Sequence, residues 1–270
     1  MPLIETHAHL DDPRFAEDQG AVIARAHDAG VTRIITIGTG LESNKAALAL
    51  ADRYGSVYAA VGIHPANVLE EGLDFLEELR LLAAHPKVVA LGEIGIDYFH
   101  VPSNSTEVAE NAWRENQQEA FRMQLELALE LGLNVIIHQR DLPDSTAAWE
   151  DTLKILKPYT GKVRGVFHCF GGTPEQASEL ATLGHLVSFT GIITFKNAPI
   201  VRETAAAVAA DGYMLETDCP YLAPIPHRGT RAEPAYTRLV AEAVAKARGI
   251  SLEEVAQATT ATAEKFFRFS

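Results

Sequence analysis

The chain is poor in cysteine, in basic charge and in uninterrupted apolar sequence, and each shortage narrows what it can be. Only two cysteines, Cys169 and Cys219, occur in 270 residues. They form no spaced framework and are expected to be reduced thiols. No segment is long enough and free enough of charge to span a bilayer, so membrane residence is not expected. The opening MPLIETHAHLDDP lacks the basic start and unbroken apolar stretch of a secretory signal, and the mature chain is expected to begin here and to be cytoplasmic. Lysines and arginines number 23 against 36 acidic residues, a formal net charge of −13. That balance excludes coating of nucleic acid through a broad basic face, because such binding depends on counterion release by Lys and Arg. A local phosphate contact stays compatible with it if cations sit in the site, since bound ions dominate the local field. Internal repeats, low-complexity runs and domain linkers are also lacking.

What is present fits one soluble enzyme domain over residues 1–270: 47% apolar and 22% charged residues, at a length that suits an α/β barrel of roughly 250 residues. Short β-branched runs alternate with helical patterns throughout, the signature of parallel strands joined by crossover helices. Eight such runs occur, at 3–9, 33–38, 57–64, 88–95, 134–138, 164–169, 186–191 and 213–218. Eight strands predict an α/β fold closed as a (β/α)8 TIM barrel; an open doubly wound sheet is the alternative. Thr173, Pro174 and Gln176 make an N-cap, an N1 proline and a capping box, and Ser251 with Glu254 repeats the arrangement. LELALELG (125–132) reads as an exterior helix with a glycine stop before strand five. The polar stretch from His100 to Glu115 reads as a loop on the active-site side leading into that helix.

Polar residues that do not belong in a barrel core fall near the C-terminal ends of the predicted strands, where barrel enzymes place their active sites. His7 and His9 are two apart on strand one, so both imidazoles face one side and can bind a cation together. Glu93 ends strand four between Gly92 and Gly95, where a carboxylate can bridge two cations. His138 closes strand five and His168 lies in strand six. Alone, each of these residues suits a capped turn, a buried ion pair or a core histidine; together they suit a metal. Asp218 ends strand eight with Glu216 on the same face, a pair suited to one ligand and one proton acceptor. His64 ends strand three, where it caps a turn before Pro65, contacts phosphate or shuttles a proton. Cys169 and Cys219, next to ligands on alternating strands, are expected to face away as packing residues. The mixed His and carboxylate set suits Zn²⁺ or Mn²⁺ rather than an all-oxygen Ca²⁺ cage.

The strings THAHLDD, VGIHP, GEIGIDY, VIIHQR, FHCFGG, SFTGIITFKNA and LETDCPYLAP, in this order across nearly the whole chain, closely resemble the TatD family of metal-dependent DNases, amidohydrolase-like barrels. The resemblance implies that His7, His9, Glu93 and Asp218 hold one metal, that Glu93, His138 and His168 hold a second, and that His64 and Glu216 belong to the site. It implies one or two divalent ions, Zn²⁺, Mg²⁺ or Mn²⁺, and DNA as substrate, with nucleotides removed from single-stranded or 3′ ends in the manner of a 3′-5′ exonuclease. A monomer or weak oligomer is expected. Asp218 is the expected general base, and His64 and Arg228, the latter in the loop after strand eight, are expected to hold phosphate. Three departures stand out: Thr230 and Ala232 replace a lysine and an asparagine of the family's RGKRNEP, Thr262 replaces an asparagine near the C-terminus, and the segment after GEIGIDY is longer than usual. They leave room for hydrolysis of a cyclic amide, lactone or other small ester by the same site, or for a metal-stabilised binding protein without turnover.

Overall fold

The computed structural model describes residues 2–103 and 106–269. Eight parallel strands pair in sequence order: β1 Leu3–Ala8, β2 Val31–Ile37, β3 Val57–Val61, β4 Val88–Asp97, β5 Asn134–Arg140, β6 Gly165–Phe167, β7 Leu186–Phe189 and β8 Tyr213–Leu215. The helices are α1 Gln19–Asp28, α2 Leu41–Arg53, α3 Val68–Glu71, α4 Leu76–Ala83, α5 Glu107–Leu131, α6 Ala147–Leu156, α7 Pro174–Thr182, α8 Pro199–Ala207, α9 Thr237–Arg248 and α10 Leu252–Phe267. This is the (β/α)8 barrel that the alternating pattern predicts. It closes where β1 meets the segment after β8: Thr6 Oγ1 donates to the Leu215 carbonyl at 2.9 Å, and Ala8 bridges to Cys219 in parallel.

Both faces of the strands are buried, so the hydrophobic runs are continuous rather than alternating. Ile4, Ile35, Tyr58, Ile136, Val166 and Met214 pack in the barrel interior, and Phe266 and Phe267 of α10 join them. The other face, with Ile34, Val61, Leu91, Ile137 and Phe189, packs into the layer of helices. Both expected capping boxes form, at Thr173 with Gln176 and at Ser251 with Glu254. Gly132 ends α5 at φ +66°, a left-handed position that glycine adopts without steric cost.

Several boundaries differ from the sequence expectation. The stretch 100–115 is a loop only over its first residues; α5 begins at Glu107, and residues 104 and 105 lie outside the described residues. Thr106 explains the early start, since its hydroxyl accepts the Ala109 N–H at 3.3 Å, Glu107 and Glu110 occupy the first turn, and Arg114 pairs with Glu110 one turn on. The strands also end elsewhere than expected. β3, β6, β7 and β8 stop short, which leaves His64, His168, Glu216 and Asp218 on the loops that leave the mouth, while β4 runs four residues past Glu93 to Asp97.

Candidate active site

The sequence places the polar residues, and irregular pairing aims them. β1 changes register against β2 between Glu5 and Ala8, and β4 changes register against β5 between Leu91 and Ile94. A shift of one residue exchanges the two faces of a strand. Accordingly Ile94 and Ile96 pack outward with the helices, and Glu93 and Asp97 line the cavity at the mouth, which has a volume of about 990 Å³. Backbone bonds at the seam then bring strand one to the residues after strand eight: Asp218 N–H donates to His7 O at 3.0 Å and His9 N–H to Cys219 O at 2.8 Å.

Seven side chains from six strands or strand ends meet there. His7 Nε2 lies 3.3 Å from His9 Nε2, 3.3 Å from Glu93 Oε2 and 3.7 Å from Asp218 Oδ1. His9 Nε2 is 3.3 Å from Asp218 Oδ1 and 3.9 Å from Glu93 Oε2. An ion with nitrogen and oxygen ligands at about 2.0–2.2 Å has tetrahedral edges of roughly 3.3–3.6 Å. His7, His9 and Asp218 are thus spaced to hold one small divalent cation, with Glu93 Oε2 beside the two histidines. The other oxygen of the same carboxylate faces a second group: Glu93 Oε1 is 2.7 Å from His138 Nδ1, 2.7 Å from His168 Nε2 and 3.5 Å from His64 Nε2. Glu93 is 3% exposed, and its two oxygens divide between two donor sets. Donor type suits a pair of divalent ions; in the second set the 2.7 Å contacts are hydrogen-bond distances that a bound ion would widen.

Burial disfavours a charge on Glu93, but the imidazoles of His168, His64, His7 and His138 outweigh it and hold the carboxyl well below its usual range. Burial is likewise outweighed at Asp218, where His9 and His7 hold the carboxylate ionised. His7 and His64 are pushed down by burial, and neighbouring histidines add to the effect. His9 rises to about 9 against burial because Asp218 and Glu93 face it.

The tautomer of His64 is set by its own turn. Its Nδ1 accepts the Ala66 N–H at 3.0 Å, so the neutral ring carries its proton on Nε2 and presents a donor to the cluster. A donor there suits a phosphoryl oxygen better than a cation.

Around the donors stands a supporting layer that sequence reasoning missed in part. Asp97 Oδ2 is 3.0 Å from His138 Nε2 and 2.7 Å from His100 Nδ1, while Oδ1 accepts the N–H groups of Phe99 and His100. A carboxylate behind a ligand histidine fixes its ring and tautomer. Its signal was present in GEIGIDY, four residues after Glu93 and on the same face. Glu5 Oε1 accepts the N–H groups of His7 and Thr217, both at 2.9 Å, tying the two sides of the seam together. Burial raises the Glu5 carboxyl to about 8. Thr237 Oγ1 lies 2.6 Å from Glu5 Oε2 and 2.7 Å from Pro234 O; its single proton serves one of them, and a protonated Glu5 satisfies the other contact.

Several expected site residues are placed differently. Glu216 is buried behind the cavity; Oε1 accepts Cys169 N–H at 2.7 Å and lies 3.5 Å from His168 Nδ1, and Oε2 accepts the Ser188 hydroxyl at 2.7 Å, so it backs His168 and braces the loop that carries it. Arg228 is exposed, stacked 4.0 Å over Phe195, and does not line the cavity. Cys219 packs in the core as expected. Cys169 corrects the expectation that it faces away: β6 ends at Phe167, the backbone at Cys169 turns to φ +49°, and its side chain lines the cavity. Burial pushes that thiol up to about 12, which keeps it protonated and inert. Thr230, Ala232 and Thr262 do not line this cavity.

The chain is similar to known proteins over nearly its whole length. The family model described as "TatD related DNase" matches residues 4–268. The chain is 38% identical over 269 residues to "Uncharacterized metal-dependent hydrolase YabD" of Bacillus subtilis, covering 99% of this chain and all of that protein. It is 33% identical to "3'-5' ssDNA/RNA exonuclease TatD" of Citrobacter rodentium, with 98% and 97% of the two chains covered. Among solved structures, the TatD homologue YJJV of Escherichia coli superposes with a TM-score of 0.87 at 33% identity, over 99% of this chain and 98% of that one. This chain, a barrel whose mouth gathers five histidines and two acids and which these relatives match end to end, belongs to the TatD-related DNase family of metal-dependent hydrolases.

Proposed function

We propose that the chain is a metal-dependent phosphodiesterase that removes nucleotides from the 3′ end of single-stranded DNA. The observation that carries this reading is Glu93, with one oxygen facing His7 and His9 and the other facing His138 and His168. A shared carboxylate between two donor sets is the arrangement of two-ion phosphoryl-transfer sites. His7, His9, Glu93 and Asp218 would hold one divalent ion, and Glu93, His138 and His168 a second. Such ions, when bound, lower the pKa of water toward neutrality and polarise a phosphoryl oxygen.

The protein groups then divide the remaining work. His64 donates its Nε2 proton to a phosphoryl oxygen. Asp218 faces His7 and His9 through Oδ1, which leaves Oδ2 to accept the proton lost by the attacking water. The water oxygen attacks phosphorus in line, the bond to the 3′-oxygen breaks, and that oxygen takes up the proton Asp218 accepted and leaves as the hydroxyl of the shortened strand. The Citrobacter rodentium relative, a 3'-5' ssDNA/RNA exonuclease by name, supports the choice of substrate and polarity. The cavity of about 990 Å³ in front of the donors supports turnover over a closed structural metal site.

The test is to strip the protein with chelator and add Mg²⁺, Mn²⁺ or Zn²⁺ in turn to single-stranded DNA labelled at either end. Metal-dependent shortening from the 3′ end is expected. Absence of DNA cleavage with every metal, alongside hydrolysis of a lactone or cyclic amide, would overturn the reading in favour of a small-ester hydrolase.

A further inference from the structure

Arg140 is the single lysine or arginine among the described residues that line the cavity, in a chain whose net charge is −13. It ends β5 two residues beyond His138, and the pairing of β4 with β5 is regular from Ile94 to Asp97. The pleat therefore turns both side chains to the same side of the strand, about 6.6 Å apart along it. The Arg140 guanidinium lies over the exposed ring of Phe99, 3.8 Å from its centroid. It makes no ion pair among the described residues, whereas Arg14 is bound to Asp12.

The nearby acids are engaged elsewhere. Asp141 accepts the N–H groups of Ala148 and Trp149 at the start of α6, and Asp97 serves His138 and His100. An arginine in an acidic cavity, backed by an aromatic ring and left without a carboxylate, is available for an anion from outside. Its planar fork of donors matches phosphate. Beside it, His100 also lines the cavity; Asp97 fixes its Nδ1 and leaves Nε2 without a partner among the described residues.

We propose that Arg140 and His100 form a second phosphate subsite, which takes the internucleotide phosphate adjoining the one that is cleaved. The proposal rests on the phosphodiesterase reading and narrows it: the substrate is a strand with successive phosphates, not an isolated phosphate ester. Phe99 acts as the platform that holds the guanidinium toward the cavity. Arg140 takes the place that sequence reasoning gave to Arg228.

The experiment compares wild type, Arg140→Ala and Arg140→Lys on a short oligothymidylate and on the p-nitrophenyl ester of thymidine 5′-phosphate, with the same metal. For Arg140→Ala, the loss of kcat/KM on the oligonucleotide is expected to exceed the loss on the small ester by tenfold or more, chiefly through KM. The log–log salt dependence of KM for the oligonucleotide should become shallower by about 0.7, one phosphate contact on a single strand. Arg140→Lys should recover part of both effects. Equal losses on the two substrates, or an unchanged salt slope, overturn the subsite. If wild type cleaves neither substrate with any metal, the phosphodiesterase reading fails separately. The subsite is then decided by fluorescence anisotropy of a labelled oligothymidylate with metal-free protein, where Arg140→Ala should bind at least tenfold more weakly and equal binding overturns it.

Discussion

Protons are distributed unevenly over the five histidines at the mouth. Burial opposes a charge on His9, His138 and His168, yet the carboxylates of Asp218, Asp97, Glu93 and Glu216 outweigh it and raise all three. His7 and His64 stay neutral. Cations bind the deprotonated ring, so loading must expel the protons held by ligands. Calorimetric titration with Mn²⁺ at about pH 7, in two buffers of different ionisation enthalpy, should therefore show net proton release. That release should shrink as the pH rises through about 9, where His9 loses its proton; heats that do not depend on the buffer would contradict this. Asp97→Asn should leave the fold intact and weaken metal binding on the order of 10–100-fold, because it loosens the ring of His138 rather than removing a ligand. Replacing His138 or Asp218 by Ala should cost on the order of 10² in turnover or more, with an unchanged melting temperature; retained activity would remove the roles given to them.

At the scale of the elements, the site depends on strands that break their own alternation. Gly95 shows how tightly β4 and β5 are fitted below it: φ is +141°, and an added Cβ would stand 2.0 Å from the His138 carbonyl oxygen. Gly95→Ala should destabilise the fold by roughly 3 kcal/mol, since the clash is with backbone and the conformation is disfavoured for any side chain. A urea midpoint equal to wild type would show that the two strands part there without cost. The same irregularities mark the limit of what the sequence discloses. Eight strands, two capping boxes and the glycine stop at Gly132 are local patterns and read directly. The change of phase between Leu91 and Ile94 leaves no pattern, so Glu93 was assigned to a strand end although β4 continues to Asp97. Glu216 illustrates the reverse: its same-face spacing with Asp218 was legible, but β8 stops at Leu215 and the acid turns to Ser188, Cys169 and the ring of His168. Arg140 was hidden because its value lies in lacking a partner, which only the folded cavity reveals.

For the molecule as a whole, the barrel separates chemistry from one source of its pH response. His185 lies just before β7, and its Nδ1 accepts the Gly165 N–H at 2.9 Å where β6 begins. Its Nε2 is buried without a partner, and burial, aided by Arg164, lowers its pKa to about 4. In the unfolded chain the group titrates near 6.5, so between these values the unfolded state binds more protons than the folded one. Its contribution is thus complete above about pH 6.5 and is lost as pH falls toward 4, on the order of 3 kcal/mol. Denaturant titrations across that range should show a smaller loss for His185→Asn than for wild type; parallel curves would mean that the ring charges in place.

The central claim is that Glu93 joins two cation sites into one. Metal content by plasma mass spectrometry, after loading with Mn²⁺ and exhaustive dialysis, measures it directly on wild type and on Glu93→Ala with a native circular dichroism spectrum. Wild type should retain about two ions per chain, and Glu93→Ala should lose both together. A variant that keeps a full ion in either place would contradict the shared carboxylate and the mechanism built on it.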